Sequence, residues 1–230
     1  MRLWLIFLAL LALGGCAYEV EFDPAFVSAE VPSYTAEAEI VVLMHDHDLE
    51  LVYEGSADSV VGGSSTLTIP IGAVMREISA RVFQSCFTYG VVFTEQLLPG
   101  MQYLLAIEPE IRDFSYQYNR RVEQGLVEVR PTRDGQEVEE VPISTITPQV
   151  QFELGLRAYD PAGSVVLEKS YPSGLVSGES YIVTYRPHER INATFHSALQ
   201  DIMLAVAEDI RPLLVGQCEM TDLEGNPIAG

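Results

Sequence analysis

The chain has 230 residues, 48% of them hydrophobic and 20% charged, a balance that supports a packed core and excludes a disordered polyelectrolyte. Thirteen basic residues face 33 acidic ones, giving a formal net charge of -20. Such a field opposes nucleic-acid phosphates and anionic lipid surfaces, so no nucleic-acid partner is expected.

Residues 1–15 read as a signal peptide. Arg2 precedes the apolar run Leu3–Leu13, which suits a signal-peptide core and is too short for a membrane helix of about 20 residues. The run ends in Leu13-Gly14-Gly15-Cys16, small residues directly before a cysteine, with acidic residues from Glu19. This segment resembles the lipobox of bacterial lipoproteins. The resemblance implies that the Cys16 thiol receives a diacylglyceryl group and that cleavage just before it leaves Cys16 as the first mature residue. It also implies sorting to the outer membrane, because the second mature residue is Ala17 rather than Asp. An ordinary secreted protein cut between Ala12 and Ala17, or an uncleaved anchor, is the alternative. Acyl chains contribute about 0.8 kcal/mol per buried methylene, so two or more hold a domain on a bilayer without a membrane helix.

Residues 16–37 carry Pro24 and Pro32 without sustained periodicity and read as the lipidated N-terminus and a tether. A single domain is then expected over 38–215, followed by a polar tail at 216–230. Ala38–Met44 predicts a strand and the alternation Leu49–Tyr53 a second strand or a turn, with His45-Asp46-His47-Asp48 between them. Thr66–Pro70 predicts a short strand after Gly62-Gly63-Ser64-Ser65, and Pro70 excludes a central continuation. Val74, Ile78 and Val82 recur at helical spacing, which predicts an amphipathic helix over 71–85.

Val91–Phe93 and Met101–Pro109 predict strands, and Phe114, Tyr116 and Tyr118 alternate as an aromatic strand face. The charged stretch 129–142, with Asp134-Gly135, predicts a hairpin or a loop. Val150–Tyr159 and Ser164–Tyr171 flank the turn composition Asp160-Pro161-Ala162-Gly163 and predict a second hairpin. A long helix follows over 189–214, carrying Ile191, Phe195, Leu199, Ile202, Val206 and Ile210, with Pro212 expected to end or bend it early. These elements predict an α+β fold in which two amphipathic helices pack on one face of a mostly antiparallel sheet. A parallel βαβ arrangement is the alternative.

The order of elements is similar to that of periplasmic accessory lipoproteins of the lipopolysaccharide-assembly or ABC-transport-auxiliary type. The residues that carry this likeness are Thr66–Gly72 leading into the first helix, with Glu189–Asn192 and His196–Asp201 in the second. The charged stretch at 129–142 departs from that pattern.

With Cys16 assigned to lipid, Cys86 and Cys218 remain, 132 positions apart in a compartment that favours oxidation. A disulfide between them would restrict the unfolded chain by roughly 4 to 5 kcal/mol; two buried thiols are the alternative. His45 and His47 project to one side of an extended segment and are weak metal candidates, since zinc requires three or four ligands. The other histidines are His188 and His196. Serine-hydrolase elbows, Walker loops and dinucleotide-binding glycine patterns are all absent from the sequence, and no cofactor is expected. The aromatic residues Phe114, Tyr116, Tyr118, Tyr171, Tyr181 and Tyr185 are either sheet packing or interface residues. The reading is a non-catalytic binding or scaffolding module, held to the membrane by lipid, that engages an envelope protein. A lipid carrier with an apolar groove and a carboxylate-dependent cell-wall enzyme are the alternatives.

Overall fold

The computed structural model describes residues 17–19, 38–98, 101, 103–132, 135–182 and 188–215. In chain order the elements are β1 (Ala17–Glu19), β2 (Ile40–Leu43), α1 (Asp46–Leu49), β3 (Tyr53–Ser56), β4 (Thr66–Ile69) and α2 (Ile71–Cys86). They continue with β5 (Val91–Thr94), β6 (Leu105–Thr132), β7 (Gly135–Tyr159), β8 (Val165–Pro172), β9 (Val176–Ser177), β10 (Tyr181–Ile182) and α3 (His188–Val215).

β2 is the hinge of the main sheet. All four of its residues, Ile40-Val41-Val42-Leu43, are buried, because it pairs in parallel with β5 on one side and with β6 on the other and is covered on both faces. The remainder of that sheet is antiparallel: β7 pairs with β6, β8, β9 and β10. A second small sheet runs β1-β4-β3. The fold is therefore α+β with a mostly antiparallel sheet, as the hydrophobic patterning predicts.

The pleat divides β2 between two clusters. Ile40, Val42 and Met44 face α2 and α3, joining Val74, Ile78, Phe83, Phe195, Leu199 and Val206 in the main core. Val41, Leu43 and Ala106 face the opposite side, where Leu97, Met101, Tyr103 and Tyr159 cover them. Both long helices thus share one face of the sheet. They touch each other where the Ser79 hydroxyl meets Met203 Sδ at 3.6 Å.

Several boundaries depart from the sequence-based expectation. Asp46–Asp48 are not extended; they open the helical turn α1 after an extended His45, with the Asp48 carboxylate accepting from the His45 backbone N–H at 2.9 Å. The strand expected at Leu49–Tyr53 consequently begins only at Tyr53. α3 runs through Pro212 to Val215. Proline there removes a single hydrogen bond in the last turn, and buried Leu214 still ties that turn to the core. Within the expected tether, Ala17–Glu19 form β1 and pair in parallel with β4. Of the stretch 129–142, the described residues belong to the β6–β7 ladder, which runs from Ala106↔Tyr159 out to Thr132↔Gly135 with register shifts between Arg112 and Ser115 and between Glu128 and Arg130.

The β7–β8 hairpin is closed as its composition predicts. Asp160 Oδ1 accepts from the backbone N–H of Ala162 at 2.9 Å and of Ser164 at 2.8 Å, and Gly163 takes φ +79°, a region open to glycine at no steric cost.

Candidate functional site

The face of the sheet turned away from the helices carries an ordered array of charge. Register places Glu108 on β6 opposite Arg157 on β7, and Arg157 opposite Glu168 on β8. Arg157 Nη1 lies 3.6 Å from Glu108 Oε2, the Tyr159 hydroxyl donates to the same oxygen at 2.5 Å, and His45 Nε2 stands 3.8 Å from Glu108 Oε1. Two residues along, Arg112 donates to Glu110, and this bond holds the Glu110 carboxyl below the usual carboxylate range. Burial, then the bond to Glu108, pushes the Tyr159 hydroxyl up.

Gly155 supplies the floor of this array, since a side chain there would meet the Arg112 guanidinium at 3.1 Å. The result is a shallow depression of about 160 Å³ walled by Glu110, Arg112, Arg157, Glu168 and Ser170. Glu108 and Glu110 each face an arginine. Glu168 adds a third carboxylate to the two arginines of this partly exposed array.

On the helical side the sheet is filled. Phe195 makes edge-to-face contacts with Phe114 at 5.0 Å and with Phe152 at 5.3 Å, and Tyr53 closes on Phe114 at 4.8 Å. Phe114, Tyr116 and Tyr118 therefore serve packing between β3, β6 and α3. Tyr171 is buried too, and its hydroxyl donates to Asp209 on α3 at 2.7 Å. Among the described residues these rings fill the space between Phe195 on α3 and the sheet at Phe114 and Phe152. A cleft of about 520 Å³ lies at the surface where Val176–Glu179 passes Arg190, Ala193, Thr194 and Ser197.

The feature least anticipated by the sequence is the outer half of β6 and β7. Beyond Ile146 and Thr145, where β10 pairs, the two strands bond only to each other among the described residues, from Val122↔Ser144 to Thr132↔Gly135. At about 3.3 Å per residue this ribbon is roughly 35 Å long. A two-stranded ribbon is marginal in water, and both of its edges offer rows of backbone N–H and C=O groups. The sequence marked 129–142 only as a charged hairpin or loop, because its charged residues break the hydrophobic alternation that signals a strand.

His45 and His47 do come together: their rings stack with centroids 5.3 Å apart, because His45 keeps extended backbone as the cap of α1 and His47 lies within its turn. His47 Nε2 is 3.2 Å from Asp48 Oδ1. Among the described residues no group of three or more histidine, cysteine or acidic side chains is placed to hold a metal ion. His196 is fully buried on α3, packing beside Phe195. Cys86 ends α2, buried, with burial pushing its thiol up. Cys16, Cys218 and Tyr185 lie outside the described residues.

No family model and no curated protein matches this chain. Among solved structures, it is similar to a Xanthomonas campestris protein of family DUF330, at 10% identity and TM-score 0.39, covering 86% of this chain and 95% of the other. A neuraminyllactose-binding hemagglutinin homolog from Helicobacter pylori is similar at 10% identity and TM-score 0.40, with the same coverage.

Proposed function

We propose that this chain is an outer-membrane lipoprotein facing the periplasm, whose α+β domain is a non-catalytic binding module that engages an envelope protein through the β6–β7 ribbon. The lipobox at Leu13–Cys16 and Ala17 support the anchor and its location. The observation that carries the binding role is the ribbon from Val122 to Ser144, which has no third strand among the described residues and exposes two free edges. Strand addition to such an edge supplies affinity through the main chain, and the alternating side chains supply specificity.

The test replaces residues 123–143 by an Asn-Gly turn between Val122 and Ser144, a connection that suits a two-residue hairpin. Crosslinking in the native envelope, read by mass spectrometry, is expected to give a reproducible protein partner for the wild type and none for the shortened chain, with the thermal midpoint of the domain unchanged. A partner retained at full yield would refute the ribbon as the binding element. Cys16→Ser is expected to leave the protein unacylated and shift it from the membrane to the soluble fraction or to the unprocessed precursor; normal processing with unchanged membrane retention would refute the lipid anchor.

A further inference from the structure

The chain enters the fold beside the loop that joins β3 to β4. β1 pairs with β4 in parallel, Ala17 opposite Thr66, and Thr66 stands opposite Ser56 on β3. Ala17, Thr66 and Ser56 thus form one row across three strands, roughly 10 Å wide. β1 and β4 run parallel, so residues 57–65, which precede Thr66, lie at the end of the small sheet where β1 begins at Ala17.

The loop is held firmly. The Asp58 N–H donates to Tyr116 O at 2.8 Å, the Tyr118 N–H donates to Ser59 Oγ at 2.9 Å, and Ser59 Oγ in turn donates to Val61 O at 2.8 Å. Gly62 takes φ +81° with the Tyr118 ring so close that a side chain would meet it at 2.6 Å. This scaffold presents Val60 to solvent at full exposure. An isolated exposed valine is ordinary; farther along the main sheet Val122, four residues beyond Tyr118, and Ile182, which pairs with Thr145 opposite Arg121, are also exposed, on opposite faces of that sheet. Within 57–65 the one charged residue is Asp58, in a chain of net charge -20.

We propose that this end of the domain rests on the bilayer that holds the Cys16 acyl chains, with Val60 at the boundary between headgroups and hydrocarbon. The proposal builds on the lipid-anchor reading above. A lipid surface is the occupant because the anchor brings the loop within roughly 10 Å of it whichever protein is bound. A zwitterionic surface suits the low charge of the loop and avoids repulsion by the remainder of the chain. The ribbon runs on past Val122, and the six acidic residues and four arginines in the sequence between 120 and 144 oppose its entry into hydrocarbon. Its partner is then met at the membrane surface.

The chain's one tryptophan, Trp4, lies in the leader, so the mature protein has a dark background for a fluorescent probe. The processed, acylated protein is reconstituted into phosphatidylethanolamine–phosphatidylcholine vesicles as Val60→Trp and, separately, as Val165→Trp. Val165 pairs with Tyr159 opposite Ala106, roughly 40 Å along β6 from Tyr118. Val60→Trp emission is expected to shift to the blue and to be quenched by lipids brominated near the headgroup, while Val165→Trp emission stays as in water. Equal responses at the two positions, shifted or not, on fully acylated protein overturn the membrane-facing end and leave the anchor standing. A mass spectrum showing an intact leader or unmodified Cys16 overturns the anchor, and this proposal with it.

Discussion

The Tyr171 hydroxyl donates to Asp209 Oδ2 at 2.7 Å, and Lys169 Nζ, two residues back on the same strand, reaches that oxygen at 2.5 Å. The pair of bonds ties β8, an outer strand of the sheet, to the last third of α3. Lys169 first, then Tyr171, hold the Asp209 carboxyl below the usual carboxylate range. A depressed acid contributes stability that is complete above its unfolded value of about 4 and is lost as pH falls through the lower folded value. Denaturant midpoints measured between pH 5 and pH 3 are therefore expected to fall more steeply for the wild type than for Asp209→Asn. Tyr171→Phe, which deletes one bond from a buried ring, is expected to cost about 1 kcal/mol at pH 7. Parallel pH profiles for Asp209→Asn and wild type would show that the carboxylate is not stabilised by the fold.

Gly72 sets the contact between α1 and α2. Its backbone N–H donates to Leu51 O at 3.0 Å, and a side chain there would lie 1.9 Å from Asp48 O and 2.7 Å from Leu49 O. These obstacles are main-chain atoms with no rotamer to yield. Alanine normally stabilises a helix by up to about 1 kcal/mol over glycine. Gly72→Ala is expected to reverse that sign, lowering the thermal midpoint and loosening the His45–His47 stack. A midpoint at or above that of the wild type would mean that α1 moves aside freely.

Cys86 sits at the end of α2, buried, with its thiol raised by that burial and by the nearby Glu208 of α3. Val215 ends α3 seven residues beyond Glu208, roughly 10 Å along the helix, a distance that the three further residues to Cys218 can span. We propose that Cys86 and Cys218 form a disulfide in the oxidising compartment. Cys86→Ser is then expected to leave one alkylatable thiol at Cys218 and to lower stability by roughly 4 kcal/mol. Two free thiols in the oxidised wild type, read by mass spectrometry after alkylation under denaturing conditions, would refute the bond.

The two long helices were legible because each buries a continuous stripe: Val74, Ile78 and Val82 on α2, and Ile191, Phe195, Leu199, Val206 and Ile210 on α3, are all buried, while the place expected for Ile202 is taken by Met203 and Ile202 is half-buried. The β7–β8 hairpin was legible because Asp160 and Gly163 are needed for its turn. The segment His45–Asp48 was misread because four residues contain barely one turn, and alternation of histidine and aspartate fits either a strand or a capped helical turn. The choice fell to Gly72, whose missing side chain leaves room for the α1 carbonyls against α2.

By itself the sequence determined the surplus of acid, the α+β class and the faces that helices and hairpin bury, because each of these is written in local composition or in a period of 2 or 3.6 residues. Tertiary structure alone decided that β2 is parallel to both of its neighbours and that Arg157 falls between two glutamates. It also decided that Ala17 lies beside Thr66 and Val60 at the exposed tip of the loop that follows β3. Those relationships join residues tens to scores of positions apart. Their register is set by how the pleated faces pack against the helices, a constraint that no window of neighbouring residues contains.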